Sequence, residues 1–348
     1  MARYLVTGGA GYVGSHLVAL LAAQGADVVV LDSLRQGHRA AVPPGVRLVV
    51  AELSDAAALE AVLADGPWDA VFHFASLSLV GESMAQPMRY LLDNAALGIR
   101  LIDACIRHGV RRFVLSSTAN LFGLPDSIPI AEDARIAPAS PYGESKLMIE
   151  RALFWADQLH GLRSACLRYF NAAGADPEGV LGEDHDPETH LIPLVIDAAL
   201  GRRPPLVVFG TDYDTPDGTC IRDYVHVTDL GHAHLCALRR LDHRSVTYNL
   251  GNGLGHSVRD VIGAVERILG RPVPVVFGDR RAGDPPVLVA SSALIREEAG
   301  WAPQFADLDS IVGTAARWRL AHPQGYATER AGQSQLAASP SLSGRGPG

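Results

Sequence analysis

Apolar positions in the first half of the chain follow two alternating patterns. Short apolar runs predict buried strands, and longer stretches with apolar residues three or four apart predict helices that pack on one face. The predicted strands lie at residues 3–7, 27–32, 46–50, 70–74, 112–116 and 164–167, and the helical stretches between them include 56–63, 87–108 and a segment that begins at 141. This alternation predicts an α/β fold with a doubly wound parallel sheet, in which ligands bind outside the carboxyl ends of the strands.

The regular alternation ends near residue 168. Residues 172–190 are rich in Gly, Asp, Glu and Pro, which predicts a long functional loop. Beyond this loop, helices are predicted at 192–200, 258–269 and 308–320, and strands at 206–209 and 246–250. We therefore expect a first domain at 1–168, a smaller α/β domain at 169–330 with elements that can interleave with the first, and a disordered tail at 331–348, where Ser, Gly, Ala, Pro and Gln dominate.

Charge and cysteine usage narrow the class of protein. The 348-residue chain carries a formal net charge of −8 and no long basic run, so nucleic acid is not an expected partner. Strand-like sequence begins at Arg3, which leaves no room for a signal peptide, and no apolar run approaches bilayer-spanning length. The four cysteines lie far apart without a C-x-x-C pair, as expected for reduced thiols. These features predict a cytoplasmic protein with no membrane partner.

A glycine-rich turn, G-G-A-G-Y-V-G, joins the first strand to the first helix. In such a turn the backbone N–H groups and the helix N-terminus can face a phosphate, so Gly8, Gly11 and Gly14 predict a dinucleotide site. The second strand ends at Asp32, eighteen residues after Gly14. An acid at this position binds a ribose 2′-hydroxyl and repels a 2′-phosphate, which favours NAD over NADP, although Arg35 nearby weakens that preference.

The segment S-P-Y-G-E-S-K predicts the start of a helix, because Ser140 is a good N-cap and Pro141 suits the first helical position. Tyr142 and Lys146 are four residues apart and would share one face of that helix. A lysine ammonium beside a phenol favours the phenolate, so this pair can transfer a proton near neutral pH. Taken alone, the same spacing is also typical of a solvated helix face.

Thr118 lies at the carboxyl end of the fifth predicted strand, where a doubly wound sheet binds its ligands. Asn120 and Phe122 follow closely, and they either line the same crevice or serve as a turn asparagine and a core phenylalanine. Three arginines of the second half are candidates for an anionic ligand, with surface ion pairs as the alternative: Arg222, Arg280 and Arg281.

The loop before the helix at 192–200 carries a dense group of carboxylates and imidazoles. Its members are Glu183, Asp184, His185, Asp186, Glu188 and His190. These residue types suit a metal ion, but their spacing fits no defined ligand motif. A solvated acidic loop without a metal ion is therefore the favoured interpretation.

Several motifs together resemble the UDP-glucose 4-epimerase family, which belongs to the extended short-chain dehydrogenases/reductases. The resemblance runs from about residue 3 to residue 326. The motifs are T-G-G-A-G-Y-V-G-S-H at 7–16, H-F-A at 73–75, V-G-E-S at 80–83, the pair Tyr142 and Lys146, L-R-Y-F-N at 167–171, G-T-C-I-R-D-Y-V-H-V at 218–227, Y-N-L-G at 248–251, R-A-G-D at 281–284 and H-P-Q-G-Y at 322–326. The first motifs are typical of the whole superfamily, whereas those of the second half are more specific to nucleotide-sugar epimerases.

The resemblance implies a Rossmann fold that interconverts UDP-glucose and UDP-galactose, with NAD held tightly and not consumed. By this likeness, Tyr142 takes the proton of the sugar 4-hydroxyl while hydride leaves C4, and the 4-keto sugar then turns and receives the hydride on its other face. Lys146 and the cationic nicotinamide both favour the tyrosinate, and Thr118 hydrogen-bonds the sugar oxygen. The first domain would then bind NAD and the second mainly the UDP-sugar.

The glycine turn and the resemblance together give the expected ligand contacts. The expected cofactor-binding residues are Gly8, Gly11, Tyr12, Val13, Gly14, Asp32, Ser33, Glu52, Leu53, Phe74, Ala75, Ser76, Asp93, Asn94, Tyr142, Lys146 and Tyr169. The expected substrate-binding residues are Thr118, Asn120, Phe170, Asn171, His190, Leu191, Val207, Val208, Phe209, Arg222, Arg281, Asp284 and Leu288. The resemblance also implies a homodimer built through the two long helices that follow Pro87 and Ser140.

Departures from the family pattern leave the sugar open. Leu288 falls where some members have a tyrosine and others a smaller residue, so an epimerase of UDP-N-acetylhexosamines or UDP-pentoses is an alternative. Ser78 stands where many relatives have a lysine near the cofactor pyrophosphate.

A sugar-nucleotide 4,6-dehydratase would need an acid pair where Ala119 and Asn120 stand. A non-catalytic NAD-binding regulator is a distant alternative, because such proteins typically lose the tyrosine or the lysine.

Overall fold

The computed structural model of the protein describes residues 1–281 and 284–326, and the tail predicted at 331–348 lies outside the described residues. In chain order the strands are β1 (Arg3–Thr7), β2 (Asp27–Asp32), β3 (Arg47–Val50), β4 (Ala70–His73), β5 (Arg112–Thr118), β6 (Arg163–Tyr169), β7 (Asn171–Ala173), β8 (Leu206–Phe209), β9 (Ile221–His226), β10 (Val246–Leu250), β11 (Gly255–Ser257), β12 (Val275–Gly278) and β13 (Val287–Leu288). The helices are α1 (Tyr12–Ala23), α2 (Ala56–Ala64), α3 (Val80–Ala85), α4 (Pro87–Tyr90), α5 (Leu97–Arg107), α6 (Pro141–His160), α7 (Leu191–Ala199), α8 (Val227–Arg240), α9 (Val258–Leu269), α10 (Ala293–Ala299) and α11 (Leu308–Ala321). None of these helices combines the length and the apolar character that crossing a bilayer requires.

The large sheet has seven strands in the order β10-β6-β5-β4-β1-β2-β3, and every neighbouring pair is parallel. The α/β class and the doubly wound parallel sheet predicted from the sequence are confirmed. The strand order changes direction between β1 and β4, so the carboxyl ends of these two strands flank the crevice where such sheets bind ligands. The seventh strand, β10, comes from the chain beyond residue 168, so the division into domains at that residue stays a prediction with interleaved elements.

Alternate residues of each strand pack into two separate cores, because the sheet is covered on both faces. Val6 and Val30 pack with α1 and α8 on one face. Leu5 and Leu31 pack with α2, α5 and α6 on the other face. Buried on both sides, the strands are nearly continuous apolar runs, and this is why the sequence predicts them well.

The smaller region packs α7, α9 and α11 around a third apolar core. Its sheet places β9 beside β7, β11 and β13, and β8 pairs separately with β12. The sequence predicted neither β9 nor α8. Asp223 lies fully buried within β9, and its carboxylate accepts hydrogen bonds from the backbone N–H groups of Asn252 (2.8 Å), Gly253 (3.0 Å) and Ala290 (3.0 Å). A strand that is fixed by hydrogen bonds to a buried carboxylate leaves no apolar pattern in the sequence, so β9 was missed.

The single long helix predicted at 87–108 is interrupted. α4 and α5 are joined by wider, π-type turns at Leu91–Ala96. Within these turns the buried Asn94 side chain accepts a hydrogen bond from the Leu77 N–H (2.8 Å) and donates to the Leu77 carbonyl (2.9 Å) and the Ser145 hydroxyl (3.2 Å). Through this interruption the Asn94 amide forms hydrogen bonds with both α6 and the loop after β4. Such π-type turns are frequent at functional sites.

Candidate active site

The glycine turn brings the chain between β1 and α1 to the crevice. Gly8 has a φ of +74°, and a Cβ there would lie 2.4 Å from the Ala75 nitrogen after β4. A Cβ on Gly14 would lie 2.2 Å from the Gly8 carbonyl oxygen. Gly11 precedes α1 with no side chain to cap the helix. The first N–H groups of α1 therefore have no side-chain cap, which fits the diphosphate of a dinucleotide.

Replacing Gly14 with alanine should displace α1 from the turn, because the new methyl group would overlap the Gly8 carbonyl. We expect a loss of stability of about 1–3 kcal/mol and a purified protein largely free of NAD, measured by thermal unfolding and by cofactor extraction. The matched control is Gly313→Ala in α11, where a Cβ would meet nothing within 4 Å. A Gly14→Ala protein with a full complement of NAD would contradict this account of the turn.

Asp32 ends β2 and is buried. Its carboxylate accepts hydrogen bonds from the backbone N–H of Ala10 (2.9 Å) and of Leu34 (2.8 Å), which fixes it beside the glycine turn. Burial raises the pKa of this carboxyl, and the two backbone hydrogen bonds oppose that change. Each carboxylate oxygen keeps a second lone pair, so Asp32 can still accept hydrogen bonds from ribose hydroxyls.

Arg35 forms ion pairs with two carboxylates, which bears on its expected effect on the choice between NAD and NADP. Its guanidinium lies 2.9 Å from Glu52 and 3.7 Å from Asp93. A guanidinium paired in this way is less available to a 2′-phosphate, so the geometry favours NAD. The hydroxyl of Ser33 accepts the Arg35 N–H at 3.3 Å, and the side chain of Leu53 packs in the core.

The other predicted cofactor residues lie on both sides of the crevice. Three are half-buried and follow β4 directly: Phe74, Ala75 and Ser76. The Tyr12 hydroxyl donates a hydrogen bond to the Gly174 carbonyl (2.6 Å), which ties the glycine turn to the loop after β7. Val13 and Tyr169 pack into the core beneath α1, where the Tyr169 hydroxyl is hydrogen-bonded to His234. The side chain of Tyr169 is therefore committed to the interior.

Thr118, Tyr142 and Lys146 are all buried, and Thr118 ends β5. Tyr142 lies in the first turn of α6, close enough to Thr118 for the threonine hydroxyl to lower the pKa of the phenol. The Thr118 hydroxyl oxygen also accepts hydrogen bonds from the backbone N–H (3.1 Å) and the side-chain amide (3.0 Å) of Asn120. The alternative of a solvated helix face for the tyrosine and lysine is therefore wrong. Phe122 is fully buried and is a core residue.

Burial dominates the charge state of this pair. It lowers the pKa of Lys146 to about 7, against the opposing effect of the Glu150 carboxylate, and the Lys146 amine donates a hydrogen bond to the Ser116 carbonyl (2.8 Å). Burial also raises the pKa of the Tyr142 phenol, while the hydrogen bond with Thr118 lowers it. Burial therefore opposes the phenolate that the lysine charge was expected to favour.

A second cluster of charge surrounds a cavity of about 700 Å³ in the smaller region. The residues lining it are Asp212, Tyr213, Asp214, Arg280, Arg281, Asp284 and Pro286. The Arg281 guanidinium lies 4.2 Å from the centre of the Phe209 ring, and Arg222 forms an ion pair with Asp284. These contacts hold two guanidinium groups in place, where they can bind an anionic ligand.

The sequence did not predict that Asp212 and Tyr213 line this cavity. Both contact Arg280, which was a candidate: its guanidinium donates a hydrogen bond to the Asp212 carboxylate (2.7 Å) and lies 4.4 Å from the centre of the Tyr213 ring. The available signal was the run T-D-Y-D-T-P-D that follows β8, in which a tyrosine stands among acids between two regular elements. Such a run is typical of a binding loop.

Side chains along β8 alternate, so Val207 and Phe209 are exposed and Val208 is buried in the third core. Val208 therefore has only its backbone to offer a ligand. The Asn171 side chain donates a hydrogen bond to the Asp223 carbonyl (2.9 Å) at the start of the smaller region. Leu191 is half-buried as the first residue of α7.

One layer of side chains connects the buried trio with the arginines. Phe170 and Leu288 pack against the apolar cluster of Ala119, Phe122 and Ile130, and Ala119 follows Thr118 directly. Leu288 is also the register partner of Arg222 across β13 and β9. A ligand that reaches from Thr118 to Arg222 would therefore pass beside Leu288, the residue on which sugar scope was expected to depend.

The loop before α7 is solvated only in part, so the interpretation favoured from the sequence fails for Glu183 and Asp184, which are only 5% and 6% exposed. Asp184 accepts a hydrogen bond from the Tyr326 N–H (2.9 Å), and Glu183 is hydrogen-bonded to His190, the residue that precedes α7. This part of the loop lies near the glycine turn, where the ring of His185 meets that of Tyr12 edge-on at 6.1 Å. Asp186 and His190 are exposed.

The parallel sheet and the glycine turn at its switch point define a dinucleotide-binding fold, with Thr118, Tyr142 and Lys146 buried at β5 and α6. The chain belongs to the NAD dependent epimerase/dehydratase family, whose sequence profile matches residues 4–251. The resemblance found in the motifs is thereby confirmed.

Individual relatives agree over nearly the whole chain. The UDP-glucose 4-epimerase of Azospirillum brasilense is 50% identical over 318 residues, which cover 91% of each chain. A solved structure of a UDP-glucose 4-epimerase has a TM-score of 0.91 at 44% identity and covers 94% of this chain and 100% of its own. The UDP-glucose 4-epimerase of Brucella ovis, solved in complex with NAD, has a TM-score of 0.88 at 45% identity and covers 91% of this chain and 98% of its own.

Proposed function

We propose that this protein is a UDP-glucose 4-epimerase, an isomerase that interconverts UDP-galactose and UDP-glucose with tightly bound NAD. The observation that supports it is that the glycine turn follows β1 and Thr118 ends β5 at the same edge of one parallel sheet, with Tyr142 and Lys146 buried on α6. When bound, NAD supplies reversible hydride transfer. The glycine turn and Asp32 hold the dinucleotide, and the amide of Asn94 holds the loop beside it.

The trio moves the proton. Tyr142, as the phenolate, accepts the proton of the sugar 4-hydroxyl and returns it after the sugar has turned. The hydrogen bond from Thr118 stabilises the phenolate, and the charge of Lys146 opposes the effect of burial on the phenol. Asn120 orients the threonine hydroxyl through its two hydrogen bonds.

The nucleotide supplies the affinity in this proposal. Arg222 and Arg281 bind the diphosphate, with Asn171 and the residues before α7 beside it, and Phe209 and the exposed face of β8 lie near the uracil. Loose contacts to the hexose then leave it free to present either face of C4. Leu288 and Phe170 are the apolar side chains that limit the space around the sugar.

The test is incubation of the purified protein with UDP-galactose and, separately, with UDP-N-acetylgalactosamine, without added NAD, with products identified by NMR. Conversion of UDP-galactose alone is expected. Conversion of both substrates would extend the function to N-acetylhexosamines and would mean that Leu288 leaves room for the acetamido group. If neither substrate reacts even after NAD is added, the epimerase assignment fails.

We also propose that the protein is a cytoplasmic homodimer. The four cysteines are free thiols, which agrees with a reducing compartment. Large apolar side chains stand exposed along the helices that run from residue 87 and from residue 141: Leu92, Ile99, Phe154, Trp155 and Leu159. Exposed apolar side chains concentrated on neighbouring helices are typical of an interface between subunits.

Replacing Trp155, which is 60% exposed, with aspartate should convert the dimer to a monomer, because a charge would be buried at the centre of the contact. Sedimentation velocity gives the mass. The control is Leu320→Asp on α11, where a 51% exposed leucine lies away from these helices and should tolerate the change. A Trp155→Asp protein that sediments like the unaltered protein would place the interface elsewhere.

A further inference from the structure

Four side chains of the loop before α7 converge on one point. Glu183, His185, Glu188 and His190 each offer one ligand atom, and these atoms lie within 4.8 Å of one another. Glu183 is buried, His185 and Glu188 are largely buried, and His190 is the most exposed member. The cluster contains no member of the trio and no residue lining the arginine cavity, although His190 is also one of the expected substrate-binding residues.

Two of the four ligand atoms lack hydrogen bonds. Within the described part of the chain, the Nδ1 atom of His185 and the Oε2 atom of Glu188 are buried and have no hydrogen-bond partner. They lie 3.8 Å apart, and His185 Nδ1 is 3.2 Å from a Glu183 oxygen. Buried polar atoms without partners are rare in folded proteins, and they call for a bound group that satisfies them.

Three of the side chains have the spacing of ligands around one metal ion. With metal–ligand bonds of about 2.1 Å, two ligands of a tetrahedral ion are about 3.4 Å apart. The contacts from His185 Nδ1 to a Glu183 oxygen (3.2 Å) and to Glu188 Oε2 (3.8 Å) lie on either side of this value. His190 is instead hydrogen-bonded to the same Glu183 oxygen, so its ring would have to move away from that oxygen to become the fourth ligand.

The donor set selects the kind of cation. Two imidazole nitrogens and two carboxylate oxygens suit zinc and its first-row neighbours, whereas calcium and magnesium prefer ligands that are all oxygen. A divalent ion between the Glu183 and Glu188 side chains would also supply positive charge to both carboxylates at once.

We propose that Glu183, His185, Glu188 and His190 form a structural binding site for a divalent ion of the zinc class. Four protein ligands close the coordination sphere, as in structural rather than catalytic zinc sites. The ion would join the loop to the start of α7 through His190, and His185 meets Tyr12 of the glycine turn. The site would therefore connect the glycine turn, which is expected to bind NAD, with the start of α7, which is expected to lie beside the substrate.

The experiment measures metal binding rather than turnover, so its outcome is separate from that of the proposed function. Untagged full-length protein with its cofactor is washed with EDTA and titrated with Co²⁺ by absorbance and with Zn²⁺ by calorimetry. We expect one equivalent of Co²⁺ to bind with the intense visible bands of tetrahedral coordination, and Zn²⁺ to displace it and raise the thermal unfolding temperature.

Two variants and one control locate the site. Glu188→Gln and His185→Gln should each weaken Zn²⁺ binding by more than about 100-fold, since loss of an outer-shell partner alone costs about 10–100-fold. Asp186→Asn removes an exposed acid from the same loop and should change nothing. The unaltered protein failing to bind a stoichiometric ion, or all three variants binding it equally, would overturn the proposal and leave a network of imidazole–carboxylate pairs. Circular dichroism identifies a variant that does not fold, and the titration of the unaltered protein then decides.

Discussion

Replacing Tyr142 with phenylalanine should lower the turnover of UDP-galactose by about 10²–10⁴-fold, the contribution typical of a positioned proton acceptor. The change removes one hydroxyl and almost no volume from a buried position, so the fold should persist. Affinity for the UDP-sugar should change little, because it is assigned to Arg222 and Arg281. Turnover is followed by NMR, and affinity by calorimetry with the same substrate.

A neighbouring tyrosine provides the matched control. The Tyr90 ring lies 6.5 Å from that of Tyr142, and its hydroxyl donates a hydrogen bond to Glu82 (2.7 Å). Tyr90→Phe also removes one hydroxyl from a buried tyrosine ring and should cost about 1–3 kcal/mol of stability with turnover nearly unchanged. Near-normal turnover in Tyr142→Phe would remove that residue from the mechanism, and equal losses in both variants would indicate a general disturbance of the site.

The elements that the sequence predicted well are those whose pattern is local. β1 has the predicted bounds, and α6 begins as predicted, with Pro141 in its first turn and the Ser140 hydroxyl accepting a hydrogen bond from the Gly143 N–H (3.2 Å). The strand β9 and the π-type turns around Asn94 depend instead on hydrogen bonds to distant backbone. Apolar periodicity carries no information about such bonds, so both were missed.

The candidate site divides in the same way. The glycine turn and the pair Tyr142 and Lys146 are compact in sequence and were found there. Arg222 and Asp284 are 62 residues apart, and only the fold brings them together. The burial of Glu183 was likewise invisible in a run of charged residues. What burial does to a pKa depends on the packing around it, which composition and spacing do not supply.

Lys146 is the only lysine in the sequence, because 29 of the 30 lysines and arginines are arginine. The single position that keeps a lysine is the buried one beside the proton acceptor. An arginine there would stay charged at every accessible pH, whereas a lysine amine can lose its proton when buried. The chain therefore keeps a lysine at the one buried position where the amine donates a hydrogen bond to the Ser116 carbonyl.

Lys146→Met should abolish turnover and yet stabilise the protein at pH 6. Methionine keeps most of the volume and removes a buried charge, while the hydrogen bond to the Ser116 carbonyl is lost at a cost of about 1–3 kcal/mol. The lowering of the lysine pKa from 10.5 to about 7 corresponds to a burial cost on the order of 5 kcal/mol. The net gain at pH 6 should be about 2–4 kcal/mol, measured by urea unfolding.

The stability advantage of Lys146→Met should disappear as the pH rises. Between pH 7 and 10.5 the unfolded chain keeps the lysine proton that the folded chain has lost, so the stability of the unaltered protein rises with pH in this window. Lys146→Met has no such group, so its stability lacks this contribution. Lys146→Arg, which cannot lose its charge, should be destabilised at every pH. Selective ¹³C labelling of lysine gives a single side-chain NMR signal, and its titration midpoint should lie near 7 rather than 10.5. A midpoint near 10.5, with a methionine variant less stable at every pH, would show that the amine is solvated and that burial does not govern its charge.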